Sequence, residues 1–446
     1  MDYRKQYQSK KCTAEHAAGR VFPRSCVFYG GLVGAPMSID RALAARAHEL
    51  EGVTLITGTF PGMPAAVVSD PERKSIIYSN LHFSEGDRKL HDRGLCDFIP
   101  NMYQDRPWIF EHCIWPDIIM VRTAPMDEHG YFNFGAINSE TWSVIKNART
   151  VIVEVNENMP YCYGGFRECV HISEVDHVVE GGNEPLPEAK SPPPAEADTR
   201  IAAHVIGQIR DGACIQLGIG TLPNEVGKMI AESDLRDLGV HTEMLADSYL
   251  DMFRAGRITG NRKTTDPGKM VYTFAYGSRA LYEFLDHNPA CASFPVNYTN
   301  SADVISLNER TVSINKAIAV DLYGQVSSES SGFRQISGTG GQWDFHFGAA
   351  RSREGCGFIC LHSTHTGADG KMTSRIRPCL DPGSIVTVPR ASVMCVVTEF
   401  GIAGLRGRST WQRAEALINI SHPDFRDELV REAEKMNIWT RTNRIP

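Results

Sequence analysis

The chain alternates short runs of aliphatic and β-branched residues with stretches of helical periodicity, and this alternation limits its fold more than any other feature. The runs include SCVFYGGL, VTLITGTF, DIIMVRTA and RTVIVEVN in the first half. ACIQLGIG, KMVYTFAYG, TVSINKAIAVD, SIVTVPR and SVMCVVTEF follow in the second. Strands that are apolar on both sides suit a sheet covered on both faces. Between them, TRIAAHVIGQIRDG sets Ile201, Val205, Ile206 and Ile209 on one helical face, with Gly212 as the expected stop. Alternating β and α elements of this kind predict α/β architecture with mostly parallel sheets.

A single core does not hold 446 residues, because domains run to about 150 residues each. The break falls in GGNEPLPEAKSPPPAEAD, where five prolines and several charges keep the chain extended. Two α/β domains are expected, residues 1–185 and 199–446, joined by a Pro-rich linker at 186–198. A repeat relates them. IIMVRTAPMDEHGYFNFG and INKAIAVDLYGQVSSESSG each carry an apolar run followed by Asp-x-x-Gly, at Asp127 to Gly130 and Asp321 to Gly324. Two copies of one open fold would leave an interdomain cleft able to hold a ligand.

Composition excludes some function classes. A formal net charge of −7 offers no general attraction for nucleic acid or acidic lipid. MDYRKQYQSKKCTAEHAAGR lacks the apolar core of a signal peptide, and no apolar run approaches the ~20 residues of a membrane span. The twelve cysteines are scattered among apolar runs, which fits reduced thiols and a cytoplasmic location. Cys356, Cys360, His362 and His365 lie close in sequence but lack the paired spacing of a zinc site.

Three glycine clusters end predicted strands. In QLGIGTLPNEVGKMI, Gly218 and Gly220 open a helix whose free N–H groups favour an anion. The dinucleotide fingerprint fails there, because its third glycine position is Pro223. A tight turn and a backbone cradle for a polar ligand group both remain. QISGTGGQWDFHFGAA brings Gly338, Gly340 and Gly341 together, and FYGGLVGAPMSID places Gly30, Gly31 and Gly34 before a helix starting near Pro36. Sheets of this class bind ligands at the carboxyl ends of their strands.

GVHTEMLADSYLDM sets Glu243 between apolar flanks. A carboxylate so placed is on the surface, paired, or chemically employed. As a nucleophile it would divide one acyl transfer into two easier steps, with glycine-turn N–H groups to stabilise the oxyanion. No G-x-S-x-G elbow offers a competing serine. On local chemistry alone Glu243 is one candidate among several acids.

Eight segments in register narrow the choice. VIVEVNENMP, HISEVDHVVE, QLGIGTLPNEV, LGVHTEM, SINKAIAVDLYGQVSSES, SGTGGQWDF, VVTEFGIAGLRGRS and ALINISHPDFRDEL resemble, in order, the acetyl-CoA hydrolase/transferase family of class I CoA-transferases. The resemblance covers nearly the whole chain and is strongest to the 4-hydroxybutyrate and butyryl-CoA:acetate enzymes. It implies two similar open α/β domains. It also implies that Glu243, in His241-Thr242-Glu243-Met244, attacks an acyl-CoA to give an anhydride and then a glutamyl-CoA thioester. Implied coenzyme A contacts are Gly218, Ile219, Gly220, Thr221, Leu222, Ile318 and Gly341, with the Val33-Gly34 turn holding the oxyanion. The expected partners are acyl-CoA and small carboxylic acids, in a homo-oligomer. Coenzyme A serves as a substrate, and neither a separate cofactor nor a metal is expected.

The chain departs from the family at GGLVGAP, where relatives often carry an acidic residue, at Trp343 and at His346-Phe347. These positions are expected to line or support the acyl pocket. A succinyl-CoA:dicarboxylate (itaconate-type) transferase would need a cation such as Arg334, Arg375 or Arg377 for the second carboxylate. An acyl-CoA hydrolase would let water intercept the intermediate. A CoA-binding regulator without turnover would not need Glu243, and Pro223 disfavours an NAD oxidoreductase.

Overall fold

The computed structural model describes residues 2–189, 192–367 and 369–439. Its contacts divide the chain into two compact units. Unit 1 comprises Met1–Lys190, Glu243–Leu245 and Val271–Thr299; unit 2 comprises Ser191–Thr242, Ala246–Met270 and Asn300–Pro446.

Six parallel strands make the body of unit 1: β1 (Cys26–Tyr29), β2 (Val53–Thr57), β3 (Ile76–Asn80), β4 (Ile118–Thr123), β5 (Thr150–Val155) and β6 (His177–Glu180). They lie in the order β3-β2-β1-β4-β5-β6, the doubly wound arrangement in which strand order reverses beside the first strand. All six residues of β4 are buried, as a strand covered on both faces requires. Alternate side chains serve two cores. Val27, Tyr29, Leu55 and Met120 join one cluster, while Phe28, Ile56, Ile119 and Val121 join the other. Helix α1 (Met37–Ala45) follows β1, with α2 (Arg106–His112) and α3 (Thr141–Asn147) later in the unit.

Unit 2 begins with α4 (Glu196–Ile206), then β7 (Cys214–Leu217), α5 (Thr221–Glu232), β8 (Gly239–His241), α6 (Asp247–Arg254), β9 (Thr311–Lys316), α7 (Gln342–Arg351), β10 (Cys356–Cys360) and β11 (Cys395–Thr398). The strands run β8-β7-β9-β10-β11, all parallel. An antiparallel strand, β12 (Gly401–Gly404), follows at the β11 edge. The order again reverses beside the first strand, β7. The sheets are mostly parallel and the fold is mixed α/β, as the sequence predicts.

The Asp-x-x-Gly repeat has the same local geometry in each unit. Asp127 Oδ1 accepts the N–H groups of His129 and Tyr131 at 2.9 Å each, with Gly130 at φ 86°. Asp321 Oδ1 accepts those of Tyr323 at 3.1 Å and Gln325 at 2.9 Å, with Gly324 at φ 87°. The left-handed fourth residue is why glycine recurs there.

Several local expectations change. Residues 190 and 191 of the expected linker lie outside the described residues. Within the rest, Leu186 is buried, the Pro187 carbonyl accepts the Tyr282 hydroxyl at 2.7 Å, and α4 already begins at Glu196. That helix ends at Ile206 with Gly207 as its cap, six residues before Gly212. SIVTVPR is no strand: Pro382 lies just before it and Pro389 within it, Ile385 is exposed, and of its residues only Val388 bridges, to Val326. KMVYTFAYG breaks at Thr273 into two short strands, Met270–Tyr272 and Phe274–Ala275.

Candidate functional site

β1 in unit 1 and β7 in unit 2 each run directly into a glycine turn at the point where strand order reverses. After β7, Gly220 adopts φ 105° and ψ −172°, a region essentially closed to other residues. It caps α5 without a side-chain hydrogen bond of its own, and its carbonyl accepts the Asn224 N–H at 3.1 Å. Pro223 is tolerated in the first turn, where a backbone N–H would have no partner inside the helix. Ile219 projects with 61% of its surface exposed. A Cβ on Gly218 would meet nothing nearer than 3.7 Å, so packing alone does not demand glycine there.

The other implied coenzyme A contacts gather around the same strand ends in unit 2. The N–H of Gly218 donates to the Ile314 carbonyl on β9 at 3.1 Å. Gln342, the first residue of α7 after Gly341, donates its side-chain amide to the carbonyl of Lys316, the last residue of β9, at 3.1 Å. Ile318 follows two residues later, half-buried, its N–H donating to the Ser327 carbonyl at 2.9 Å. The turn at 218–222, Ile318 and the Gly341 loop are thus all tied to the carboxyl end of β9. Glu329 fastens the glycine loop: its carbonyl accepts the N–H groups of Ile336 and Ser337 at 2.7 and 3.1 Å. Burial pushes its carboxyl group up, and a hydrogen bond from Thr339 partly offsets the effect.

Glu243 groups with unit 1. It is half-buried, and its carbonyl accepts the N–H groups of Thr273 at 3.0 Å and Phe274 at 3.2 Å. The short strand Met244–Leu245 pairs in parallel with Phe274–Ala275. Phe274 in turn bridges Ile137, against whose side chain Gly34 lies: a Cβ on Gly34 would come within 3.0 Å of it. The Val33-Gly34 turn after β1 and the Glu243 strand are therefore parts of one packed assembly.

That assembly contains a buried polar cluster that the sequence reading missed. The Tyr103 hydroxyl lies 2.7 Å from Ser139 Oγ, and the Ser139 hydroxyl donates to the Glu140 carboxylate. Arg106 of α2 pairs with Glu140 at 3.5 Å, both about 5% exposed, and its guanidinium stands 4.2 Å over the Tyr103 ring. Burial, then Glu140, then Glu243 act to hold the Tyr103 phenol protonated. Nearby, burial and the charges of Arg106 and Arg88 push His82 down to about 3, keeping it neutral. Ser139 sits at φ 52°, a strained conformation of the kind that clusters at functional sites. Tyr103, Arg106, Ser139 and Glu140 come from separate stretches with no motif spacing. The legible signal was Asn138-Ser139-Glu140-Thr141, a polar run between apolar residues that is buried throughout.

The residues expected to line or support the acyl pocket, and the arginines considered for a second carboxylate, are placed as follows. His346 is fully buried and its Nε2 accepts the N–H of Met394 at 3.0 Å. Burial and Arg406 push it down to about 4. A Cβ on Gly357 would collide with the His346 ring at 2.5 Å, so this histidine fills core space. Trp343 stacks on Phe347 at 4.8 Å and packs against the unit 2 core. Among the three arginines, Arg334 is exposed and Arg377 lies 3.7 Å from Asp381. Arg375 is half-buried, and burial and Arg377 push its guanidinium down. The cysteine–histidine run also disperses: Cys356 contacts Cys395 at 3.8 Å, while His362 pairs with Asp198 at 2.8 Å. Among the described residues no three such side chains converge as metal ligands, and no helix is long and apolar enough to cross a membrane.

Comparison with known proteins adds an independent line. Residues 1–187 match the acetyl-CoA hydrolase/transferase N-terminal domain, and residues 277–433 the corresponding C-terminal domain. The chain is 48% identical over 443 residues to a probable butyrate:acetyl-CoA coenzyme A-transferase of Syntrophomonas wolfei, covering 99% of this chain and 98% of the relative. It is 47% identical over 446 residues to the butyryl-CoA:acetate CoA-transferase of Anaerostipes caccae, covering 100% of both. The crystal structure of RipA from Yersinia pestis has a TM-score of 0.92 at 35% identity, covering 98% of this chain and 100% of that one.

Proposed function

The chain belongs to the acetyl-CoA hydrolase/transferase family and is a transferase enzyme, and we propose that it moves coenzyme A between a short-chain acyl-CoA and a free carboxylic acid, of the butyryl-CoA or 4-hydroxybutyrate:acetate type. The observation that carries this reading is the full-length match at 47% identity to a butyryl-CoA:acetate CoA-transferase. It is joined by a half-buried carboxylate, Glu243, whose backbone is pinned by two hydrogen bonds.

The proposed chemistry balances without a redox partner or net proton. The Glu243 carboxylate attacks the thioester carbonyl, forming a mixed anhydride and releasing the coenzyme A thiolate. The thiolate attacks the glutamyl carbonyl, giving a glutamyl-CoA thioester and releasing the first acid. The acceptor carboxylate attacks that thioester, re-forming an anhydride and the thiolate. Attack of the thiolate on the new acyl carbonyl then yields the product acyl-CoA and restores the Glu243 carboxylate. In this reading residues 218–222, Ile318 and Gly341 hold coenzyme A, and backbone N–H groups of the Val33-Gly34 turn receive negative charge on the attacked carbonyl. Coenzyme A enters and leaves as a substrate, and no further cofactor takes part.

A donor–acceptor matrix tests the reading. Purified protein is incubated with acetyl-, butyryl- or succinyl-CoA against a panel of free acids. The proposal expects new acyl-CoA species at constant total thioester, fastest with butyryl-CoA and acetate. Thioester loss independent of acceptor would make the protein a hydrolase instead, and preference for succinyl-CoA with a dicarboxylate would overturn the short-chain assignment.

A further inference from the structure

β7 and β8 pair only as far as Ile215↔Val240, whereas β7 continues beside β9 to Leu217↔Ile314. Beyond Ile215 the two strands part. One leads into the turn at 218–222 and the other into Thr242, the residue before Glu243. The Tyr249 hydroxyl bridges the parted ends. The N–H of Leu217, past the end of the β8 ladder, donates to the Tyr249 hydroxyl at 2.6 Å. That hydroxyl donates in turn to Thr242 Oγ1 at 3.0 Å. Tyr249 and Thr242 are both fully buried.

The ring that carries this hydroxyl is itself held firmly. Tyr249 lies on α6, and its neighbour Ser248 packs against Gly227 of α5 so closely that a Cβ there would meet Ser248 Cβ at 2.4 Å. The helix opened by the glycine turn and the helix bearing Tyr249 are thus locked side by side. We propose that Tyr249 is a positioning residue, its hydroxyl spacing the parted ends of β7 and β8 so that Thr242 is held at a fixed offset from the turn at 218–222. This rests on the reading of Glu243 as nucleophile and of the turn as a coenzyme A contact. The phenol serves as one acceptor and one donor at once, and burial keeps it protonated for that task. Misplacement of reacting groups by about 1 Å costs on the order of 10²-fold in rate.

The test uses steady-state kinetics and thermal melting of full-length variants. Tyr249→Phe keeps the ring and removes the oxygen. It should lower kcat by about 10- to 100-fold in protein that still melts cooperatively, with a smaller change in KM for acyl-CoA. Thr242→Val should reproduce the effect and Thr242→Ser should stay near wild type. The double variant Tyr249→Phe/Thr242→Val should be no slower than the slower single one, because both remove the same link. Wild-type kcat in Tyr249→Phe, or independent multiplicative losses in the double variant, would overturn the positioning role. Absence of coenzyme A transfer in the unaltered protein would instead overturn the functional reading on which it rests.

Discussion

Glu243 can act as a nucleophile only as a carboxylate, so its amide isostere separates chemistry from shape. Glu243→Gln should lower transfer by roughly 10³- to 10⁶-fold, the range seen when a covalent nucleophile is removed, while the melting temperature stays within a few degrees. Full activity in that variant would remove Glu243 from the mechanism. His346 makes a different kind of prediction. Its pKa falls from 6.5 to about 4 on folding, so below pH 6.5 the unfolded chain takes up a proton that the folded chain refuses. This group therefore stabilises the fold fully above pH 6.5, and the contribution drains away as pH falls toward 4. The shift corresponds to about 3 kcal/mol. Denaturant unfolding at pH 7 and pH 4.5 should show a smaller acid loss in His346→Gln than in wild type. An equal loss would refute the buried neutral ring. Sequence marks His346 as unusual, at a position expected to line or support the acyl pocket; that its ring packs against Gly357 on the next strand is not legible, because a histidine's identity does not reveal what its ring faces.

The informative element is α5 with the turn that opens it. Gly220 has a backbone conformation that a Cβ strains by about 1–3 kcal/mol. Gly220→Ala should raise KM for acyl-CoA several-fold, by tilting the first turn of α5, with a modest drop in melting temperature. An unchanged KM would detach the turn from coenzyme A. Gly227→Ala acts at the other contact of the same helix, where overpacking against Ser248 should cost about 1–3 kcal/mol. Because α6 bears Tyr249, that variant should also lose kcat in its folded fraction; lost stability with normal kcat would show that the helices are not coupled. The strands of unit 1 and the glycine turns were readable, since apolar runs and glycine punctuation are local signals. SIVTVPR reads as a strand by its β-branched composition, but Pro382 just before it and Pro389 within it keep it out of a ladder. The parted ends that Tyr249 bridges could not be read, because they depend on where one strand's ladder ends relative to another's.

Across the whole molecule, the Asp-x-x-Gly repeat was a faint sequence signal that proved to be one turn geometry built twice, with Gly130 and Gly324 within a degree of each other in φ. The shared doubly wound order explains why a glycine turn follows β1 and β7: the reversal of strand order opens a crevice there, which backbone without side chains can line closely. Less legible was the division of the chain. Proline composition pointed to the break near 186–198, but Glu243–Leu245 and Val271–Thr299 group with the N-terminal residues. Nothing in a linear reading signals that excursion, because it arises from hydrogen bonds between Glu243 and Thr273 and between Ala136 and Ala275.

A covalent coenzyme A intermediate on Glu243 can be caught by mass spectrometry of the peptide carrying residue 243 after treatment with butyryl-CoA in the absence of acceptor. This peptide should gain coenzyme A less one water, acetate should discharge the adduct, and Glu243→Gln should never acquire it. Turnover of butyryl-CoA and acetate with no such adduct, or with the adduct on another residue, would contradict it.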